Sequence, residues 1–244
     1  MMENKAVYFI SDLHLHLEDR EKELQKEKLL EKLFEQITVD GSDLYIIGDL
    51  FDYWFEYEKV VQKDSYRVLY LFYKLATSGV KIHYIIGNHD FYHYDLFEKE
   101  FNAKLYEDNV TTYINGKKFF LSHGDGMIPN DTGYKILKYF LRNKIIQKIA
   151  SYIHPDFLLK LAIASSKASR KYTNQKNYGE IDGLLLLAEN KIINENYDFV
   201  IMGHSHSFEY KQIQKGVYVN LGSWINQPLY AKFHNNSIET IILK

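Results

Sequence analysis

The sequence predicts a single α/β domain, a two-sheet sandwich flanked by helices and carrying a helical insert. Apolar runs rich in β-branched and aromatic residues alternate with stretches of helical spacing, which is typical of an α/β fold. After Met202 the pattern changes to short strands separated by polar turns. The 244 residues contain three prolines and no Pro/Gly/Ser-rich linker, so one domain over residues 1–244 is expected.

Five apolar runs are predicted as buried strands because they are short and end in polar or turn-forming residues. These strands are Ala6 to Ile10, Leu44 to Ile47, Ile82 to Ile86, Phe119 to Leu121 and Phe199 to Met202. Helical spacing predicts helices over Arg20 to Ile37 and Tyr66 to Thr77, with Gly41 and Gly79 following them as stops.

The last part of the chain is predicted to form the second sheet, which completes the sandwich. Its strands are Glu209 to Ile213, Val217 to Leu221, Leu229 to Phe233 and Ile238 to Leu243. Tight reversals are expected at Gly216 and at the Asn235-Asn236 pair, because these residue types favour turns.

Residues 127–178 are predicted to form the helical insert. Apolar residues from Ile136 to Ile153 follow one amphipathic helix, which Pro155 breaks, and Phe157 to Ala164 begins a second. Residues 135–176 hold ten basic side chains and one acidic one, a net charge of +9 in a chain of net charge −2. Two interpretations stay open: a hairpin packed on the core with solvated lysines, or a lid that meets an anionic membrane surface.

The composition excludes several classes of protein. Hydrophobic residues make up 46% and charged residues 25%, which is typical of globular proteins rather than disordered ones. Because cysteine is absent, disulfides, thiolate metal sites and cysteine nucleophiles are excluded. No uninterrupted apolar run reaches about 18 residues, and the first residues do not resemble a signal peptide. A cytoplasmic location is expected, with peripheral contact to the inner membrane as an option.

Five polar clusters directly follow predicted strands, where ligands bind in open α/β sheets. They are Ser11-Asp12-Leu13-His14, Gly48-Asp49-Leu50-Phe51-Asp52, Gly87-Asn88-His89-Asp90, Ser122-His123-Gly124-Asp125 and Gly203-His204-Ser205-His206. Aspartate and imidazole together suit Mn, Fe, Co or Zn. The set exceeds the needs of one ion and would serve two ions about 3.5 to 4 Å apart. An extended backbone would present Asp12 with His14, and His204 with His206, on one face.

Each cluster taken alone has a simpler explanation, as a turn or as a hydrogen-bonded histidine near a strand end. Together and in this order they favour a metal centre. The other five histidines belong to no cluster and are expected to be structural or surface residues. They are His16, His83, His93, His154 and His234.

The ordered motifs D-x-H, G-D-x-x-D, G-N-H-D, a later H and G-H-x-H resemble those of the calcineurin-like metallophosphoesterase family. The resemblance implies one ion held by Asp12, His14, Asp49 and His206. It implies a second ion held by Asn88, His123, His204 and the bridging Asp49. Mn²⁺ is the first choice of metal, with Fe, Co and Zn as alternatives. A metal-bound hydroxide would attack phosphorus, and the catalytic His89 would assist as a proton donor that holds no metal.

Gly48 to Trp54, Gly87 to Phe91 and the insert are similar to the branch that contains UDP-2,3-diacylglucosamine diphosphatases of lipid A synthesis. This similarity implies cleavage to UMP and 2,3-diacylglucosamine 1-phosphate, with the insert as a lid over the lipid. It implies substrate contacts from Asn88, Asp131, Lys167, Ser169, Arg170 and Lys176. His89 stands where well-known members of the branch have arginine, so the substrate stays open.

Other functions are weighed against this one. A metallophosphoesterase acting on a soluble nucleotide or another phosphodiester is the main alternative, followed by a phosphoprotein phosphatase and by a non-catalytic scaffold. The complete set of ligand-type residues favours an enzyme. Nucleic acid is not expected as a partner, because the basic residues are interleaved with aliphatic ones and the rest of the chain is acidic.

Overall fold

The computed structural model describes residues 5–17, 19–127, 138, 140–173 and 180–244, and the side chains of residues 165–173 and 180–182 lie outside this description. Within these residues the chain forms an α/β fold of two mixed sheets with helices on their outer faces. The predicted fold class is therefore confirmed.

The first sheet has the strand order β11-β10-β1-β2-β3-β4 over the described residues. Its strands are β1 (Ala6–Ile10), β2 (Gly41–Ile47), β3 (Lys81–Ile85), β4 (Lys104–Tyr106), β10 (Leu229–His234) and β11 (Ser237–Ile242). β1, β2, β3 and β4 are parallel, and β10 pairs antiparallel with both β1 and β11. The β10–β11 turn is formed by Asn235 and Asn236, both with positive φ, as turns of this kind require.

The second sheet has the strand order β5-β6-β7-β9-β8 over the same residues. Its strands are β5 (Val110–Ile114), β6 (Lys117–Ser122), β7 (Phe199–Met202), β8 (Phe208–Ile213) and β9 (Gly216–Leu221). β6, β7 and β9 are parallel, so the carboxyl ends of β6 and β7 lie on one rim of this sheet.

The helices of the described residues are α1 (Arg20–Asp40), α2 (Tyr66–Thr77), α3 (Leu96–Phe101), α4 (Lys144–Ala150), α5 (Pro155–Thr173) and α6 (Glu180–Glu195). Among them, α1, α2, α3 and α6 bury apolar side chains in the core. The Asp19 side chain caps α1 by accepting a hydrogen bond from the Lys22 N–H. Leu30, Leu33 and Ile37 of α1 are fully buried against the first sheet, as helical spacing predicts.

The prediction for the last four strands was only half right. β8 and β9 join the second sheet, but β10 pairs with β1 in the first sheet and β11 pairs with β10 at its edge. Phe119 lies on β6 and Phe199 lies on β7, and these two strands are in the interior of the second sheet. Strand boundaries depend on local pattern, whereas sheet membership depends on contacts far apart in sequence, which the pattern does not report.

The single helix predicted over residues 136–153 is also wrong in its described part. The Asn143 side chain accepts hydrogen bonds from the Ile145 and Ile146 N–H groups, and so begins a separate helix, α4. Asparagine favours this N-cap position, which interrupts the apolar periodicity on either side of it. Pro155 begins α5, because proline fits the first helical turn, where an N–H has no partner in the helix.

The core lies in layers because successive strand residues point to opposite faces. Phe9 and Val7 of β1 face the second sheet, whereas Tyr8 and Ile10 face the helices α1 and α2. Phe119 is fully buried between the sheets and contacts the rings of Phe9, Phe199 and Phe233 at centroid distances of 5.9, 4.7 and 5.0 Å. This aromatic contact joins the two sheets and thereby aligns their rims.

None of the helices in the described part of the chain combines the length and apolar character needed to cross a bilayer.

Phe119→Ala should lower the free energy of unfolding by about 3 to 5 kcal/mol, because it leaves a cavity between the sheets. Guanidinium unfolding followed by circular dichroism measures this change. The matched control is Tyr113→Ala on β5. Because Tyr113 is 67% exposed, this variant should lose little stability. A loss of under 1 kcal/mol for Phe119→Ala would contradict the role of this ring in joining the sheets.

Candidate metal centre

The predicted ligand-type residues meet where the parallel strands end. Asp12 and His14 follow β1, Asp49 follows β2, Asn88 follows β3, His123 follows β6, and His204 and His206 follow β7. Hydrogen bonds tie these loops together: the Asp12 N–H donates to Gly48 O (3.1 Å), and the Gly203 N–H donates to His123 O (3.2 Å). The rims of both sheets therefore contribute to one buried site.

Four side chains form the first group of this site. His14 Nε2 lies 2.9 Å from His206 Nε2, 3.6 Å from Asp12 Oδ1 and 3.8 Å from Asp49 Oδ2. His206 Nε2 lies 3.3 Å from Asp12 Oδ1. These are separations that ligands around one ion can adopt, and the Asp12, His14 and His206 atoms lie within 4.8 Å of one another.

A second group shares Asp49 with the first. His123 Nε2 lies 3.2 Å from Asp49 Oδ2 and 2.9 Å from Asn88 Oδ1. His204 Nδ1 lies 3.0 Å from the same Asn88 oxygen. Asp49 Oδ2 therefore faces both groups, the position that a bridging ligand would need.

The chemistry of the donor atoms fits divalent cations. Asp12 Oδ2 accepts hydrogen bonds from Ser11 Oγ and from the His204 N–H (3.0 Å), but Asp12 Oδ1 is buried with no hydrogen-bond partner among the described residues. Asp49 Oδ1 likewise accepts from the His89 N–H (2.9 Å), which leaves Oδ2 to face the histidines. A buried carboxylate oxygen without a donor is costly, and a cation would remove that cost.

Close contacts among these charges shift their pKa values. Burial raises the pKa of Asp12 and Asp49, but the facing histidines outweigh it, so both pKa values lie below the ordinary one. Burial lowers the pKa of His14 and His123, but the facing carboxylates outweigh it and raise these values to about 9 and about 10. Burial and the charge of His123 lower the pKa of His204 to about 4.

The backbone at the ligand-type residues is left-handed rather than extended, which corrects the expectation from their alternation. Asp12, His14, Asp49, His204 and His206 have φ values of 52°, 45°, 52°, 69° and 56°. Each such conformation costs a non-glycine residue roughly 1 to 2 kcal/mol. Strain of this kind concentrates at functional sites, where surrounding packing holds it.

Two motif glycines allow the loops to approach this closely. A Cβ atom on Gly203 would lie 2.3 Å from Asp12 Oδ2, and one on Gly87 would lie 2.5 Å from the Asp49 backbone nitrogen. Any side chain there would therefore displace the carboxylates. The glycines of G-N-H-D and G-H-S-H are thus needed for their lack of a side chain.

His89 lies beside the first group, with its ring 4.8 Å from that of His14. Its Nδ1 donates a hydrogen bond to the Asp52 carbonyl oxygen (2.8 Å), which orients the ring. A ligand atom of His89 is also within 4.8 Å of those of His14 and Asp49. Burial lowers the pKa of His89.

Two aspartates of the motifs have positions that the sequence did not assign. Asp90 Oδ1 accepts from the Gly87 N–H and Oδ2 from the Leu50 N–H, both at 2.8 Å, and Tyr84 also donates to Oδ2. Asp52 Oδ1 lies 3.3 Å from His14 Nδ1. The positions of these two aspartates in G-N-H-D and G-D-x-x-D were the available signal. For Asp52 the signal has a physical reason, because a carboxylate beside a ligating histidine commonly orients it.

The remaining histidines lie outside both groups. His83 pairs with Asp43 (2.9 Å) and Tyr106, and none of His16, His83, His93, His154 and His234 joins a metal-type cluster of the described residues.

The insert is attached close to this rim. Lys138 Nζ pairs with Asp125 Oδ2 (2.7 Å), and Arg142 donates to the Ile86 carbonyl oxygen (3.3 Å). Two of the insert's cations therefore bind the ends of β3 and β6. The predicted contacts Asp131 and Lys176 lie outside the described residues, and the side chains of Lys167, Ser169 and Arg170 lie outside the description as well.

Comparisons with known proteins agree with this geometry. UDP-2,3-diacylglucosamine hydrolase of Porphyromonas gingivalis is 29% identical over 95% of both chains. The proteins of that name from Haemophilus influenzae strain PittGG and Neisseria meningitidis serogroup A are each 27% identical, over 90–91% of both chains. The structure of an archaeal phosphodiesterase matches with a TM-score of 0.50 at 15% identity over 98% of this chain and 99% of its own, which shows the fold.

A family model for calcineurin-like phosphoesterases matches residues 5–208, the span that carries all seven ligand-type side chains. Family and relatives agree on hydrolysis of a phosphoester or pyrophosphate with the help of metal ions. The chain belongs to the calcineurin-like phosphoesterase family and is a metal-dependent hydrolase.

Proposed function

We propose that this enzyme hydrolyses the pyrophosphate of UDP-2,3-diacylglucosamine to UMP and 2,3-diacylglucosamine 1-phosphate. The observation that carries the proposal is the combination of a complete phosphoesterase site with an attached insert that is both basic and apolar. Relatives named for this substrate match the chain over nearly its whole length. A soluble substrate would have little use for so much apolar surface beside the site.

The two groups of side chains are proposed to hold two divalent ions, with Mn²⁺ the first candidate. Asp12, His14, Asp49 and His206 would hold one ion, and Asp49, Asn88, His123 and His204 the other. Bound ions lower the pKa of water and neutralise phosphate oxygens. The protein contributes the fixed positions: Ser11 and His204 N–H orient Asp12, and the His123 Nδ1 donates to Ile47 O (2.9 Å), so that Nε2 is left for the ion.

His89 is proposed as the catalytic proton donor. Because its Nδ1 is fixed on the Asp52 carbonyl, the ring can exchange a proton with substrate only at Nε2. A proton given to the departing phosphate oxygen would assist its release, and an imidazole can supply it where arginine would not.

The insert, residues 127–178, is proposed to act as a lid for the acyl chains. A cavity of about 240 Å³ lies between the start of α5 and the loop before α2, where Leu158 and Leu159 face Phe55, Val60 and Val61. These apolar side chains suit hydrocarbon. Asp131, Lys167, Ser169, Arg170 and Lys176 stay proposed contacts to the polar part of the substrate, as does Asn88.

The outer surface of the insert is proposed to contact an anionic bilayer transiently. Large apolar side chains there are strongly exposed: Ile145 (72%), Ile149 (63%), Phe157 (62%) and Leu161 (57%). Lys160 directly precedes Leu161. Apolar residues flanked by lysines are typical of helices that bind at membrane interfaces.

A soluble nucleotide or another phosphodiester is the second candidate substrate. The observation that favours it is His89, which takes the place of the arginine found in well-known members of the diphosphatase branch.

The direct test is a product assay with UDP-2,3-diacylglucosamine and Mn²⁺. We expect UMP and 2,3-diacylglucosamine 1-phosphate in equal amounts, with a kcat/KM at least 100-fold above that for UDP-N-acetylglucosamine, about 2.7 kcal/mol of discrimination. Equal turnover of both UDP-sugars, or no UMP, would favour the second candidate.

Asp49→Ala should abolish both metal binding and turnover, because each ion loses the carboxylate that the two ions share. His89→Ala should keep two ions while kcat falls by about 10² to 10⁴. Metal analysis of the purified variants, beside their kinetics, separates the two roles. Two tightly bound ions in Asp49→Ala would contradict the bridge, and metal loss in His89→Ala would make His89 a ligand.

Serine at both Leu158 and Leu159 should raise the KM for the diacylated substrate several-fold while hydrolysis of bis-p-nitrophenyl phosphate is unchanged. The first effect removes binding energy remote from the phosphorus atom, and the second leaves the metal chemistry alone. Leu186→Ser, at a 65% exposed position of α6, is the control. Equal losses on both substrates would show that these leucines support the fold rather than the acyl chains.

A further inference from the structure

A second and larger cavity, of about 890 Å³, lies between the insert and the edge of the first sheet. Its two walls carry opposite charges. Glu56, Glu58 and Glu98 line it from the body, whereas Lys144 and Lys148 line it from α4. This volume is within the range of small-molecule sites, and the charged lining does not suit hydrocarbon chains.

The cavity borders the loop that carries His89. Phe91, two residues beyond His89, is one of its lining residues. The loop on the opposite side is paired with it: the Trp54 N–H donates to His89 O, and the Glu56 N–H donates to Tyr92 O, both at 3.2 Å. A substrate whose phosphate contacts His89 could therefore extend into this cavity.

Glu56 has a buried carboxylate oxygen to which a ligand could donate a hydrogen bond. Its side chain is buried, with 4% exposure of the residue. Oε1 accepts hydrogen bonds from the N–H groups of Asp95 (2.8 Å) and Leu96 (2.7 Å) at the start of α3. Oε2 is buried with no hydrogen-bond partner among the described residues. An acceptor left in this state is costly unless a donor reaches it.

A second buried polar group lines the same cavity. The ring of His93 lies among Trp54, Tyr84 and Phe97, and both of its nitrogens lack a hydrogen-bond partner within the described part of the chain. Burial lowers the pKa of His93 to about 3, so the ring is neutral and can either accept or donate a hydrogen bond. Aromatic rings of Phe91, Tyr92 and Tyr152 complete the lining.

We propose that this cavity binds the uridine half of the substrate, with Glu56 accepting a hydrogen bond from the nucleoside. This inference rests on the proposed function. Uridine offers donors at its ribose hydroxyls and at N3–H, and its base has a face that aromatic rings can stack on. The positive charges of Lys144 and Lys148 in the lining suit an anionic nucleotide better than the uncharged nucleoside. The cavity beside Leu158 and Leu159 is left for the acyl chains.

Glu56→Gln tests the inference, because it keeps an oxygen for the Asp95 and Leu96 N–H groups and replaces the free acceptor by a donor. Calorimetric titration of the metal-loaded enzyme measures binding of UMP and, separately, of 2,3-diacylglucosamine 1-phosphate. We expect the Kd for UMP to rise about tenfold or more, with the affinity for the lipid product as in the unmodified enzyme. Glu100→Gln, an exposed position on α3 outside the cavity, should change neither.

Lys148→Met is a second variant at an exposed position, so folding does not limit it. It should weaken binding of UMP more than binding of uridine. If both variants bind UMP as the unmodified enzyme does, while that enzyme hydrolyses the diacylated substrate, the inference is overturned and the proposed function stands. Weaker binding of the lipid product alone would place the lipid in this cavity. No turnover and no UMP binding by the unmodified enzyme would overturn both.

Discussion

The Asp49 carboxylate joins the two halves of the site. Its Oδ1 is fixed by the His89 N–H, and its Oδ2 faces His14 at 3.8 Å and His123 at 3.2 Å. Asp49 and Asp12 are both buried, and carboxylates in a region of low dielectric need positive charge nearby. Protons on His14 and His123 would provide it, and the facing carboxylates raise the pKa values of both histidines. Divalent ions would replace those protons.

The rest of the fold holds the ligand-type residues in a backbone conformation that is unfavourable by itself. Left-handed backbone at five ligand-type residues is unfavourable in isolation, and the core that aligns the two sheets supplies the compensation. Asp90 holds the loop after β3 against the loop after β2, because it accepts from the Gly87 and Leu50 N–H groups. Burial and the charge of Asp49 raise the pKa of Asp90 to about 6, which is a further cost of placing carboxylates together.

The sequence predicted what depends on local pattern. Ala6–Ile10, Tyr66–Thr77 and Phe199–Met202 were placed with the observed bounds, because buried runs and helical spacing are local signals. The convergence of the polar clusters followed from parallel strands ending on one rim. The pairing of β10 with β1 could not be foreseen, because it joins residues more than 200 positions apart. Glu56 had no motif either: its buried, unpartnered oxygen is a property of packing alone.

The central claim is that one carboxylate bridges two ions at the joined rims, and anomalous X-ray scattering from crystals grown with Mn²⁺ tests it most directly. The account predicts two anomalous peaks about 3.5 to 4 Å apart. Asp49 would lie between them, with Asp12, His14 and His206 around one peak and Asn88, His123 and His204 around the other. A single peak, or a pair of peaks that Asp49 does not contact, would contradict it.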